Sequence, residues 1–120
     1  MDAESLTELF RPFGPVVVRR LFSGFGIYHR DFVIAVVIRG DLMFKADEKS
    51  APAFAAAGSR QWSYQRENSK KPTFMPFWHL PPSAFDDEDE LVKWAKLALG
   101  AARRREAVKT VKARKKAKKK

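Results

Sequence analysis

The residues best suited to chemistry are the basic side chains near the C-terminal end of the chain. Residues 101–120 hold eleven Lys and Arg residues against one acid, Glu106, whereas residues 1–100 hold thirteen of each sign. Cations at this density attract nucleic-acid phosphates, because binding releases condensed counterions. We therefore predict that this segment contacts nucleic acid non-specifically. The predicted contacts are Arg103, Arg104, Arg105, Lys109, Lys112, Arg114, Lys115, Lys116, Lys118, Lys119 and Lys120.

Two other roles for the basic segment stay open at this point. It could act only to keep the protein in solution, or it could dock onto an acidic protein partner. It lacks the bulky apolar face of a membrane-surface helix, so we expect no membrane contact. Like charges four residues apart oppose a helix, so we expect a flexible tail. The acidic run at residues 86–90 could also fold back onto this tail.

Enzymatic chemistry finds little support in the sequence. The chain has no Cys, which excludes thiol catalysis and Cys-based zinc sites. His29 and His79 are too few to hold a metal without further ligands. Residues 23–26 (SGFG) depart from a phosphate-binding glycine loop and indicate a bulge or a close strand contact instead. We expect a binding protein, not an enzyme, with no catalytic, cofactor or metal site.

Aromatic residues are concentrated in two predicted strands near residues 61–67 and 73–80. Their density fits a core or a dimer face. Stacking on RNA bases is the other interpretation, because Arg66, Lys70 and Lys71 lie in the adjoining turn. The five residues are Trp62, Tyr64, Phe74, Phe77 and Trp78.

The first half of the chain predicts a helix followed by an antiparallel meander. Apolar spacing indicates a helix over residues 2–13. Residues 16–22 fit either a strand or an extended lead-in. Residues 25–46 predict three antiparallel strands, and the run at 32–39 is apolar on both faces and therefore central.

The second half predicts a helix, two strands and a last helix. A helix at residues 48–57 ends at Gly58. Pro76 cannot donate to a ladder, so its strand is predicted to lie at an edge or to contain a bulge. Asp87 and Glu90 have capping-box spacing before the last helix, which ends at Gly100 or runs on into the tail.

Together these elements predict an α+β fold. It has two layers and an antiparallel sheet, with the order α-β-β-β-α-β-β-α. The change in charge balance along the chain predicts a domain at residues 1–100 and a basic tail at residues 101–120.

The N-terminus and the apolar runs bear on the compartment. Residues 1–10 are acidic and do not resemble a secretory signal. The longest dense apolar run, residues 32–38, is far shorter than the ~20 residues of a membrane helix. The absence of Cys fits a reducing compartment. We expect a soluble, cytoplasmic protein.

A series of segments, in register along the chain, resembles one known family, the N-terminal domain of TfoX, the competence regulators also called Sxy. Residues 21–28 (LFSGFGIY) are similar to the family's Met-Phe-Gly-Gly-x-Gly-Leu-Tyr start, and residues 41–47 (DLMFKAD) to its Leu-Tyr-Leu-Lys-Val-Asp strand. Further similar segments are residues 54–58 (FAAAG), 62–64 (WSY), 75–81 (MPFWHLP) and 86–94 (DDEDELVKW).

The resemblance spans about residues 8–102 and implies the element order given above. It also implies a role in transcriptional control beside a DNA-bound activator, and it implies no catalytic residues. The family's full-length regulators carry a second helical domain, where this chain has its basic tail. Pro76 and Trp78 also replace typical strand residues. We expect DNA as a partner of the tail, a protein partner, and a homodimer through an aromatic sheet face.

Overall fold

The computed structural model describes residues 2–21, 24–65, 67–68 and 70–118, and for residues 109–118 the backbone alone. The helices are α1 (Ala3–Leu9), α2 (Ala51–Ala56), α3 (Ser83–Asp86) and α4 (Glu88–Lys118). The strands are β1 (Val17–Leu21), β2 (Gly24–His29), β3 (Phe32–Ile38), β4 (Asp41–Lys45), β5 (Gln61–Tyr64) and β6 (Thr73–His79).

The six strands form one antiparallel sheet in the order β1-β2-β3-β4-β6-β5. This confirms the predicted α+β class and its antiparallel sheet. Two elements extend the predicted order. Residues 17–21 are a true strand, because β1 pairs with β2 from Val17 opposite Tyr28 to Leu21 opposite Gly24. The short α3 also precedes the last helix.

All four helices contribute to the core on one side of the sheet, here called the covered face. Phe54 of α2 packs on Trp94 of α4, with ring centroids 4.6 Å apart. Phe10, at the end of α1, packs on Phe44 of β4 at 5.6 Å. Each fully buried large side chain of this kind contributes about 1.5–3 kcal/mol. The covered face therefore supplies most of the stability of the fold.

The other side of the sheet, here called the open face, carries a second cluster drawn from strand residues. Val36, Met43 and Phe77 form its buried centre. In the described part of the chain, this cluster consists of strand residues alone. Side chains on adjoining strands therefore shield its centre from solvent. Around them on this face lie Val17, Arg19, Leu21, Tyr28, Val33, Ile38, Lys45, Trp62, Tyr64 and Met75.

Pro76 lies in an inner strand, so the prediction of an edge strand is wrong and the alternative, a bulge, is confirmed. β6 pairs with β4 on one side and with β5 on the other. The β5–β6 register shifts between Gln61, opposite Trp78, and Ser63, opposite Phe74. Pro76 falls in this irregular stretch, where its missing N–H breaks no regular ladder. Its carbonyl oxygen accepts from the N–H of Ala46 at 3.0 Å.

Gly58 ends α2 as predicted. Its φ is +82°, a left-handed value that costs glycine little. Its N–H donates to the carbonyl of Ala55, and the N–H of Ser59 donates to that of Phe54, both at 3.0 Å. This pair of bonds is the Schellman motif. The chain thereby turns from α2 into β5.

Within the described residues, no helix is both long and apolar enough to cross a membrane.

Candidate nucleic-acid interface

The helix that carries the basic segment starts at a well-capped N-terminus. The carboxylate of Asp87 accepts from the N–H of Asp89 at 2.9 Å and of Glu90 at 3.3 Å. The predicted cap by Asp87 is therefore confirmed. Glu90 does not complete a capping box, because its carboxylate accepts from the indole N–H of Trp94 at 3.1 Å. Three further acids in the first turn suit the positive end of the helix dipole.

Gly100 does not end this helix, because α4 continues through Lys118. Ala101 and Ala102 are 0% and 4% exposed, so the first turn beyond Gly100 belongs to the core. The small side chain of alanine lets the helix approach the sheet closely there. The basic segment is thus the direct extension of a helix whose first half is buried.

Arg104 fixes this part of the helix to the rest of the fold. Its guanidinium donates to the Asp47 carboxylate through Nε at 2.5 Å and Nη2 at 2.9 Å. Asp47 also accepts from the N–H groups of Lys49 and Ser50 in the turn before α2. The Arg104 guanidinium, aided by the Ser50 N–H, holds the pKa of Asp47 well below its usual range. The same bonds raise the pKa of Arg104.

The predicted contact residues therefore fall into groups with different surroundings. Arg104 is bonded within the fold, whereas Arg103 and Arg105 are exposed. The structure describes the helical backbone, and not the side chains, of Lys109, Lys112, Arg114, Lys115, Lys116 and Lys118. Lys119 and Lys120 lie outside the described residues.

The topology brings further cations to the same end of the sheet, here called the basic end. β3 begins there and β4 ends there, and Phe32 and Lys45 line a small hollow with Ala102, Arg105 and the acidic Glu106 of α4. The β2–β3 turn and the β5–β6 loop lie at this end because the strands alternate in direction. They carry exposed Arg30, Lys70 and Lys71, together with the exposed acids Asp31 and Glu67. The contact residues predicted from the sequence did not include Arg30. Its position near α4 depends on how the strands pair, which the sequence pattern does not give.

The acidic run at residues 86–90 lies at the opposite end of α4. At the usual rise per residue, about 33 Å of helix axis separates Glu90 from Lys112. The predicted fold-back of the tail onto this run is wrong, because the continuous helix holds the two charges apart. The molecule is therefore electrically polarised along α4.

Both histidines make contacts within the fold. His29 Nδ1 lies 3.0 Å from the carbonyl oxygen of Pro15, and its ring packs edge-on against Phe13 at 5.0 Å. His79 pairs with Met43 in the β4–β6 ladder. Among the described residues, no group of three His, Asp or Glu side chains could hold a metal ion.

The glycine-rich segment makes a close strand contact, as predicted for residues 23–26. A Cβ at Gly24 would lie 1.6 Å from the carbonyl oxygen of Val37 on β3. Only glycine permits this approach. Ser23 of the same segment lies outside the described residues.

The five predicted aromatic residues divide between the two faces of the sheet. Trp78 stacks on Phe54 in the covered core, and Phe74 is 61% exposed on the same side. Trp62, Tyr64 and Phe77 lie on the open face. The core interpretation is correct for Trp78 and for the buried Phe77. The alternation of side chains along each strand does not indicate which face of the sheet the helices cover.

Comparison with models of protein families matches residues 8–102 to the TfoX N-terminal domain. The match covers the range expected from the sequence resemblance. It ends at Ala102, the last buried residue of α4 before the exposed cations. Comparison with curated proteins gives no match.

Proposed function

The chain belongs to the TfoX N-terminal domain family, and from that premise we propose that it is a regulatory domain in transcriptional control that holds nucleic acid through the basic end of α4. The domain would act by binding, without catalysis or a cofactor, and it would work in the cytoplasm. A protein partner and a homodimer stay predictions.

The observation that carries this proposal is the way in which α4 joins the core to the basic segment. Ala101 and Ala102 are buried and Arg104 is bonded to Asp47, so the helix leaves the domain in a set direction. Beyond Val108, the chain has eight cations and no acid. A cationic helix can lie along phosphates without reading bases, because phosphate contacts carry no sequence information directly.

The basic end of the sheet supports the same proposal. Arg30, Lys70 and Lys71 outnumber the acids Asp31 and Glu67 in the described connections beside the point where α4 leaves the core. We expect them to extend the contact with phosphates onto the domain itself. Exposed Arg39 and Arg60 lie at the opposite end of the sheet and offer matched controls.

The test is duplex-DNA binding by the full chain and by a chain truncated after Val108. Truncation after Gly100 is unsuitable, because it removes buried Ala101 and Ala102 together with Arg104. If the eight lost cations each contact a phosphate, the slope of log K against log salt is steeper by about 7 for the full chain than for the truncated chain. The truncated chain should show a much shallower slope and little binding at ~0.15 M salt.

Two variants control for chain length and position. Replacing the Lys and Arg residues of 109–120 by Gln should weaken binding as much as truncation does, because charge carries the effect. Arg30→Gln with Lys70→Gln should shift the slope by about 2, and Arg39→Gln with Arg60→Gln should leave it unchanged. Equal affinity of the full and truncated chains at ~0.1 M salt would refute the proposal and leave an acidic protein as the target of the tail.

A further inference from the structure

The open face carries a row of aromatic rings that ends in a cation. Tyr64 and Trp62 of β5 lie 6.3 Å apart between ring centroids, and Trp62 lies 6.4 Å from Phe77 of β6. The Lys45 ammonium lies 4.9 Å from the centre of the Phe77 ring. Across the sheet, the Arg19 guanidinium lies 5.3 Å from the ring centre of Tyr28. This face therefore combines aromatic rings with cations that lie against them.

The outer members of this row are accessible, while the inner one is buried. Tyr64 is 37% exposed and Trp62 is half-buried, whereas Phe77 is 7% exposed and supports Trp62 from below. Half-buried Leu21, Ile38 and Met75 complete the apolar surface. An exposed apolar patch of this kind, bordered by polar groups, is typical of a binding site.

The charges on the strands indicate what this surface binds. Of the described strand residues, Asp41 alone is acidic, and it lies at the end of β4 remote from Lys45. Arg19 and Lys45 are the basic strand residues of the open face, since Arg20 alternates with Arg19 and lies on the covered side, and exposed Lys70 follows in the loop after Tyr64. A second copy of this surface would bring like charges together, whereas an anionic ligand would neutralise them.

We propose that the open face binds unpaired nucleotides of a single-stranded nucleic acid. Bases would stack on Tyr64 and Trp62, because every base has a flat face that an aromatic ring can cover. Phosphates would lie near Arg19 and Lys70. A duplex cannot bind in this way, since its base faces are already stacked within the helix. This site adjoins the basic end of the sheet at Lys70, but its bases stack on the open face, so it goes beyond the function proposed above.

The test compares single-stranded and duplex probes on the full chain, in salt high enough (~0.2 M) to weaken the contacts of the tail. The probes are a labelled oligothymidylate, a labelled oligouridylate and a duplex of equal length. Tyr64→Ala should weaken binding of at least one single-stranded probe by about five- to 150-fold, the range that one base–aromatic stack supplies. It should change duplex binding by less than about twofold.

Two variants make the comparison specific. Tyr64→Phe keeps the ring and should retain single-strand binding. Phe74→Ala removes a more exposed aromatic side chain from the covered side of β6 and should have no effect. Arg19→Gln should weaken the single-strand complex without affecting the duplex complex.

Three results of the binding assay would overturn the inference. They are unchanged single-strand binding by Tyr64→Ala, an equal loss with Phe74→Ala, or an equal loss for the duplex probe. A fall in mass by light scattering on Tyr64→Ala would identify a second copy as the occupant and also overturn it. If the α4 proposal fails instead, truncation after Val108 leaves duplex binding intact while Tyr64→Ala still lowers single-strand binding. The two failures can therefore be told apart.

Discussion

The two halves of α4 differ in what surrounds them, although they form one helix. The first half, from Glu88 to Arg104, is acidic at its start, packs on the sheet and ends in the bond to Asp47. The second half carries cations and extends past Ala102, the last buried residue among the described side chains of α4. Tertiary contacts stabilise the first half, whereas helix propensity and its continuity with the first half support the second. One helix is thus a core element at one end and a carrier of exposed sequence-encoded charge toward the other.

The largest expected effect on stability comes from Trp94→Ala in the first half. Trp94 is buried against Phe54 and donates its indole N–H to Glu90. Its removal leaves a cavity and should lower the free energy of unfolding by about 3–5 kcal/mol in urea titration. Val108→Ala is the control on the same helix, and its exposed side chain predicts a change below about 0.5 kcal/mol. Similar losses in both variants would contradict the division of α4 into two halves.

A smaller effect is expected from Asp47→Asn, which breaks the bond that closes the first half. Both side chains are partly exposed, so solvent reduces the value of the ion pair. The asparagine amide oxygen can still accept from the N–H groups of Lys49 and Ser50, so the loss is confined to the charged bonds with Arg104, and we expect about 1–2 kcal/mol at pH 7, by urea titration. A double-mutant cycle with Arg104→Gln should show coupling between the two residues.

The same pair predicts a pH dependence with a defined sign. Asp47 has a pKa below its ordinary value of about 4 in the folded protein, so its contribution is complete above that value. It decreases as the pH falls below ~4 and is lost only once the pH passes below the folded pKa. The difference between the native chain and Asp47→Asn should therefore be constant from pH 7 to pH 5 and shrink at lower pH. A difference that grows on acidification would contradict the assigned bond.

The smallest effect is expected from Asp87→Ala at the start of α4. The Asp87 carboxylate caps two backbone N–H groups, so its loss should lower the free energy of unfolding by about 1 kcal/mol. Glu88→Ala removes a charge from the same turn but leaves the cap in place, and thermal unfolding should separate the two variants. If both shift the melting temperature equally, the charge matters and the cap does not.

Much of the fold follows from the sequence because its signals are local. The run at residues 32–38 is central, Gly58 ends α2 and Asp87 caps α4, each for a reason contained within a few neighbouring residues. β1 was ambiguous because its pairing with β2 depends on partners elsewhere in the chain. Pro76 excluded a regular central strand, but only the sheet shows that a bulge, not an edge, accommodates it.

The candidate interface was predictable only in part. Charge segregation toward residues 101–120 is a property of the sequence alone, and so is the family resemblance. Neither indicates that Arg104 bonds to Asp47, because 57 residues separate the two positions and only packing brings them together. The same holds for Trp62 and Phe77, whose contact forms across β5 and β6.

By itself, therefore, the sequence determined the kinds of element, their order and the separation of charge along the chain, because propensity, capping and composition act locally. The tertiary structure decided which side of the sheet the helices cover, which cations meet at one end of it and where the core ends within α4. Those features depend on burying apolar area between residues that are distant in the chain. Local sequence patterns do not specify which distant residues will pack together.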